Sequence, residues 1–450
     1  MSDERPKESE SPDPRPSHEA LDPASHPSDL TRAEKRFGPF AYVGFTLYWT
    51  ARFLNTFAIQ VISVAVGWLI YDLTRDPLML GYAGLVQFLP SLLLVLVTGQ
   101  VADRFSRRGI MALCMIGELT CVSVLLITAL SPSPSLALIF VSLTGIGVAR
   151  AFIGPASQAL APNLVPLHML SRALALNSSS WQIASIVGPA IGGLLYGISA
   201  MAAFSTAVLL LALATILTLL IAKPPRREGS EPADWTAVVA GFKYVWNHKL
   251  VLGAISLDLF AVLLAGATAL LPVYARDILE VGPVGLGLLR AAPGIGAVAV
   301  ALLLVLRPIN SNAGLWMFGC VAGFGVSTAA FGLSVSPWFS IVMLMIVGAT
   351  DMVSVYVREI LIQLATPDHV RGRVNAVNMM FIGASNELGE FRAGVSAAFF
   401  GPVAAVVAGG VGAVFVAGIW SSLFPGLRKA QRLDQPLVDE TLDKVNAAKP

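Results

Sequence analysis

The chain has 450 residues, of which 55% are hydrophobic and 13% charged, and its mean hydropathy is +0.72. Soluble domains carry about 25% charged residues, so these values exclude an ordinary soluble protein and mark a polytopic membrane protein. A net charge of only +2 carries no nucleic-acid signature, and Cys114, Cys121 and Cys320 all lie in apolar segments, which excludes a disulfide framework or a cysteine metal motif.

Residues 1–38 are polar, rich in Pro and Ser, and hold no apolar stretch of the signal-peptide type; they read as a disordered cytoplasmic tail. Twelve apolar segments follow, at 40–71, 78–101, 109–130, 136–161, 170–197, 200–222, 250–275, 284–306, 313–334, 338–364, 373–400 and 403–424. Each is long enough to carry a helix across ~30 Å of hydrocarbon, which takes ~20 residues, and the longest imply tilt. Asp76-Pro77, Gly282-Pro283, Ser336-Pro337 and Gly401-Pro402 punctuate the outer turns. The chain therefore divides into a six-helix unit at 39–222, a connection at 223–249, a second six-helix unit at 250–425 and a cytoplasmic tail at 426–450. The connection opens on Lys223-Pro224-Pro225-Arg226-Arg227, which stops the sixth helix. Trp235, Val238, Val239, Phe242 and Trp246 then recur at helical spacing opposite Lys243 and Asn247, predicting an amphipathic helix in the inner interface.

The orientation comes from the loops. Arg104, Arg107 and Arg108 crowd the turn between the second and third segments, and Arg172, Arg307, Arg371 and Arg373 fall on the same side; the opposite side holds only Arg75 and Arg276. Basic loops are retained inside, which predicts cytoplasmic termini in a plasma membrane. All five histidines lie in tails or inner loops, excluding a histidine proton relay inside the membrane. The halves also repeat. A shift of 201 residues pairs Gly147 with Gly348, Arg172 with Arg373, Asn177 with Asn378, Gly188 with Gly389 and Gly193 with Gly394, and a shift of 203 pairs Gly84 with Gly287.

An ionisable group in hydrocarbon costs about 2.5–3.5 kcal/mol on insertion scales, so each one needs a reason. The acids are Glu118, Asp258, Asp351, Glu359, Glu387 and Glu390; the bases are Arg52, Arg150, Arg290, Arg358 and Arg392. Near-equal numbers predict a partly neutralised, wet central cavity. Arg358 follows Asp351 by two helical turns on one face, and Glu387 and Glu390 share a face at i and i+3. Two carboxylates this close in low dielectric disfavour double ionisation, as a proton-coupling site requires. At least one of Asp351, Glu387 and Glu390 is expected to couple to protons; the alternative is structural pairing, for instance of Glu390 with Arg392. Arg52 either meets an anionic substrate or holds a carboxylate of the other half, and Asp258 is its pseudo-symmetric candidate partner. Glu118 and Arg150 read as structural and Arg290 as snorkelling outward. The chain has no nucleotide loop, metal-ligand cluster or nucleophile–base arrangement, so neither an enzyme nor a cofactor is predicted.

The loop Gly99-Gln100-Val101-Ala102-Asp103-Arg104-Phe105-Ser106-Arg107-Arg108 resembles the loop 2–3 motif of the major facilitator superfamily, with Ser106 where the usual form has Gly. Gly188-Pro189-Ala190-Ile191-Gly192-Gly193 resembles the core of the antiporter motif of that superfamily's proton-coupled exporters, with Ala175 and Ala184 at the upstream glycine positions. Ala51-Arg52-Phe53, the charged loop and Arg371-Gly372-Arg373-Val374 are similar to the enterobactin-exporter group, which is named for transmembrane secretion. The resemblance implies an all-α membrane fold of twelve helices in two pseudo-symmetric bundles, with the substrate site between them near mid-membrane. It implies proton-driven efflux of a siderophore, macrolide or related small molecule by alternating access. It also implies that Asp103 and Arg104 engage the chain around Arg371–Asn375. The partners expected are a small-molecule substrate, protons and bilayer lipid, with the chain acting as a monomer. A proton-coupled importer of a small organic anion and a non-transporting membrane scaffold remain as alternatives.

Overall fold

The computed structural model describes residues 36–222, 235–309 and 311–428; most of both tails and the Lys223–Arg227 stop lie outside them. Twelve long helices run through the described residues: α1 (Val43–Thr74), α2 (Pro77–Arg104), α3 (Arg107–Leu130), α4 (Leu136–Leu160), α5 (Leu170–Ile198), α6 (Ala200–Leu220), α7 (Lys249–Ala265), α8 (Gly282–Leu306), α9 (Ala313–Gly332), α10 (Pro337–Ala365), α11 (Asp368–Phe400) and α12 (Pro402–Leu423). Their starts follow local chemistry. The Asp76 carboxylate accepts the Leu78 N–H at 2.9 Å with Pro77 in the first turn, and Ser199 Oγ accepts the Ala202 N–H at 3.0 Å. Ser106, the departure from the loop motif, caps α3 by accepting the Gly109 N–H at 3.2 Å. The tight turn is thus made with a serine cap instead of a glycine.

Among the described residues, eleven helical stretches are long and apolar enough to cross a membrane. The twelfth helix, α11, falls short in hydropathy because it carries Asp368, Arg371, Arg373, Glu387, Glu390 and Arg392. The seventh segment departs from the continuous span expected at 250–275. Its helix ends at Ala265, Gly266 leaves helical geometry, and the chain resumes through Thr268–Leu270 and Leu271–Val273 into a π-helical turn at Tyr274–Ile278. The linker helix, Trp235–Asn247, does form. It packs on the start of α11, with Phe242 against Phe381 at 5.6 Å between ring centroids and Tyr244 Oη donating to the Ala365 carbonyl at 2.7 Å. Val239 and Trp246 stay exposed, as an interfacial helix requires.

The packing repeats with the sequence. α1 packs on α5 and α6, and α3 on α4 and α6; α7 packs on α11 and α12, and α9 on α10 and α12. α4 lies on α2 as α10 lies on α8, and the repeated glycines Gly147 and Gly348 sit in these two seams against the backbones of Gln87 and Pro293. Two further seams, α5 on α8 and α2 on α11, join one half to the other. In the first, a Cβ on Gly193 would lie 2.8 Å from the Gly287 Cα; in the second, a Cβ on Gly394 would lie 2.9 Å from the Gly81 Cα. Backbones approach this closely only where no side chain intervenes.

Where the apolar core runs fixes the shape of the cavity. At the end holding the 74–77, 198–200, 278–282 and 400–402 turns, one cluster spans both halves, from Val61 and Leu69 through Phe204 to Leu271, Leu286 and Ala393. At the other end the clusters separate: Phe45, Met111 and Leu160 belong to the first half, and Leu257, Phe318 and Val357 to the second. The halves are therefore sealed together at one end and parted at the other.

Candidate functional site

A cavity of about 590 Å3 lies between the halves. One face of α1 lines it with Arg52, Asn55, Ile59, Ser63 and Gly67, spaced three or four residues apart. Gly84, Glu118, Arg150 and Trp181 bring in α2 to α5, and Arg290 of α8 with Glu387 and Glu390 of α11 supply the opposite wall. The i, i+3 pair on α11 points at one spot. A Cβ placed on Gly84 would lie 3.3 Å from Glu390 Oε2 and 3.5 Å from Glu387 Oε2. A glycine in α2 thus makes room for two carboxylates on the facing helix.

The remaining charges gather around this pair or beside it. Arg290 donates to Ser63 Oγ, a bond from one half to the other. It does not snorkel outward as expected. Gly287 and Gly294 place that face of α8 against α5, and Arg290 shares it at i+3 and i−4. Glu118 and Arg150, read as structural, also line the cavity, and Glu118 Oε2 accepts from Asn55 Nδ2. Arg392 stands two residues from Glu390, on the opposite side of the helix; its Nη2 lies where a Cβ on Gly409 of α12 would be 3.1 Å away. The Glu390–Arg392 pairing is not formed for that reason.

Asp258, Asp351 and Arg358 do not line this cavity. Arg358, only 2% exposed, forms an ion pair with Asp258 inside the second half, joining α10 to α7. Asp258 is therefore not the partner of Arg52. Arg52 instead donates to Ser157 Oγ on α4. Spacing along α10 gave the shared face of Asp351 and Arg358 but not its direction, which is set by α7. Glu359 accepts from Asn378 Nδ2 at 2.8 Å, which ties α10 to α11.

In the charged loop, Arg107 donates to the Ala159 carbonyl at 3.2 Å and Arg108 to the Leu219 carbonyl, tying α3 to the ends of α4 and α6. Arg104 is exposed at the end of α2, and Gly99 lies within that helix; the Asp103 side chain lies outside the described part of the structure. In the antiporter-like stretch, Gly188 sits against Gln60 and Gly192 against the Val61 backbone of α1, Gly193 faces α8, and Pro189 reaches the cavity wall.

One group of residues was not picked out by their spacing. At the sealed end, Asp72 pairs with Arg276 and Arg75 with Asp277 at 3.3 Å, while Tyr71 Oη donates to Asp277. The Arg276 guanidinium also stands over the Trp68 ring at 5.3 Å. These contacts join the end of α1 to the π-helical turn after α7. A signal existed in the sequence. Arg75 and Arg276 are the basic residues of the outer loops, and each has an aspartate as a near neighbour.

Residues 34–446 match the family model described as transmembrane secretion effector. The enterobactin exporter EntS of Shigella boydii serotype 18 is 26% identical over 385 residues, covering 83% of this chain and 89% of that protein, and EntS of Escherichia coli O139:H28 matches to the same extent. Among solved structures, an inward-facing, unoccupied bacterial homologue of the human lysosomal transporter Spinster superposes with a TM-score of 0.68 at 14% identity, covering 86% of this chain and 98% of that one. The nucleoside transporter NupG superposes with a TM-score of 0.69 at 12% identity, covering 85% of this chain and 100% of that one.

Proposed function

This chain belongs to the transmembrane secretion effector family and is a multi-pass membrane transporter of the major facilitator type, and from that premise we propose that it exports a small organic molecule in exchange for protons. The observation that carries the reading is the pair Glu387 and Glu390, whose carboxylates converge on Gly84 inside a cavity sealed at one end. Two acids at that spacing favour holding a shared proton, and an arginine from each half, Arg150 and Arg290, lies in the same cavity wall. Proton entry and release then change the charge at the junction of α2 with α11. That is the seam along which the halves rock. Asp351, beside the Asp258–Arg358 pair, is a second candidate carrier within the α7–α10 layer. The siderophore named for the relatives is the first candidate substrate.

On this reading the sealed end faces outside and both termini lie in the cytoplasm of a bacterial cell, which the basic inner loops support, and the chain acts as a monomer. The outer ion pairs then hold the exterior closed until substrate release. The test is flux in everted membrane vesicles. Acidifying the lumen should drive enterobactin inward against its gradient, and a protonophore should release it. Gradient-driven uptake into right-side-out vesicles instead would mean import, and the absence of gradient-dependent flux would leave a scaffold.

The outer pairs give a second expectation. Each is partly exposed, and such pairs are worth about 0.2–1 kcal/mol. Neutralising Asp72 or Asp277 should therefore shift the closed-to-open ratio by no more than about fivefold. Reversing one charge, Arg276→Asp, sets it against Asp72 and should shift the ratio further. The swap Asp72→Arg with Arg276→Asp should restore closure. Labelling of Val66→Cys by an impermeant maleimide in intact cells, in a cysteine-free background, reads the ratio. A swap that labels as fast as the single reversal would remove the pairs from the gate.

A further inference from the structure

The charges lining the cavity are not all paired. Glu387 and Glu390 share the cavity wall with two guanidinium groups, Arg150 and Arg290, while Glu118 is held by Asn55, one turn from Arg52 along α1. Arg52 has no carboxylate partner among the described residues; its bond is to the neutral Ser157 Oγ. That hydroxyl is fixed in turn: Ser157 donates to the Gly154 carbonyl at 3.0 Å, and Tyr48 Oη donates to the Ser157 carbonyl at 3.0 Å. The guanidinium is thus aimed but not neutralised, which leaves most of its N–H donors facing the cavity. Along α1, Arg52 precedes Ser63, the partner of Arg290, by eleven residues, or about 16 Å at 1.5 Å per residue. Around it the wall is apolar or soft: Met111, Met115, Ile153 and Trp181.

We propose that Arg52 docks the acid group of the transported molecule, so that the substrate class is an amphipathic organic anion. A guanidinium without a carboxylate partner in a partly enclosed cavity favours a counter-charge, and an acidic group with two adjacent oxygens offers it two parallel hydrogen bonds. Met111, Met115 and Trp181 then hold the apolar or aromatic body. The arrangement keeps substrate charge and coupling protons on separate groups, so neither displaces the other directly. The assignment rests on the cavity being the transport site, and the experiment separates the two.

The probes are 2-naphthoate, 2-naphthamide and 2-naphthylmethylammonium, alike in body and different in charge. Binding to the purified full-length chain is read by calorimetry and by thermal shift. A charge-assisted bond contributes about 1.5–3 kcal/mol, so naphthoate should bind at least about tenfold more tightly than the amide. The ammonium should bind no better than the amide. Arg52→Gln should bring the naphthoate-to-amide ratio close to one, and Arg52→Lys should retain part of it. Gly154→Trp serves as the cavity block, because a Cβ there meets nothing within 4 Å and the indole can fill the space; it should abolish binding of all three probes. The anion assignment is overturned if the ratio survives Arg52→Gln, if the wild type does not prefer naphthoate, or if no probe binds. Binding that Gly154→Trp blocks but Arg52→Gln leaves indifferent to charge keeps the cavity and discards the anion. Binding that survives Gly154→Trp discards the cavity itself.

Discussion

Replacing Glu387 and Glu390 together with glutamine is expected to abolish proton-driven accumulation, leaving substrate to equilibrate at about one-to-one across the membrane. Glutamine keeps the shape of each side chain and its place over Gly84 but removes the exchangeable proton. Exchange of labelled for unlabelled substrate, which needs no net proton movement, should persist. Folding should not suffer, because the substitution removes two like charges that face the same glycine from one helix. Both single variants should retain partial coupling, since one carboxyl remains. Parallel measurements of proton release and substrate flux in proteoliposomes decide the matter. A double variant that still concentrates substrate with wild-type proton stoichiometry would remove this pair from the mechanism and leave Asp351 as the carrier to test.

The second large effect concerns the seam between α5 and α8. A Cβ on Gly287 would stand 2.5 Å from the Pro189 carbonyl oxygen and 3.0 Å from the Gly193 Cα. Those are backbone atoms of a packed helix and cannot swing aside. Gly287→Leu therefore forces the halves apart at the sealed end. Overpacking costs about 1–3 kcal/mol, sometimes more. Applied to a two-state rocking equilibrium, 3 kcal/mol is a shift of about 150-fold toward the open exterior. Transport should stop while the protein remains folded, with Val66→Cys labelled rapidly from outside. Gly394→Leu, in the matching seam of α2 with α11, should give the same phenotype. Gly117→Ala, where the added carbon meets nothing within 4 Å, should behave as wild type. Normal transport by Gly287→Leu would show that these glycines do not set the rocking contact.

Hydropathy and turn chemistry located the helices well, because span length and Pro or Gly punctuation are local properties. The repeated glycines also read through: Gly147 and Gly348, and Gly193 and Gly394, sit in equivalent seams. Three features resisted. The break in α7 at Gly266 lies six residues before Pro272, which starts the resumed helix and so marks the break only roughly; its place coincides with the close approach of α11, where a Cβ on Gly266 would lie 3.2 Å from Gly389. The direction of a charged face is likewise a tertiary property. Glu387 and Glu390 turned to the cavity as their spacing allowed, whereas Asp351 and Arg358, on an equally good helical face, turned to α7. Arg290 went the opposite way, from expected surface to cavity wall, because Gly287 and Gly294 commit its face to α5. The outer ion pairs escaped notice because each member looks like an ordinary loop charge until the second half of the chain is laid beside the first.

The low hydropathy of α11 bears on how the protein is made. With Glu387, Glu390 and Arg392 in its membrane-embedded part, this segment would cost several kcal/mol to partition alone into lipid from the translocon. Its neighbours in space, α2 and α7, leave the ribosome long before it, and α12 follows immediately. Residence of α11 in the bilayer thus depends on a groove already assembled from earlier segments, so the nascent chain must hold its first half folded while the eleventh segment waits for admission.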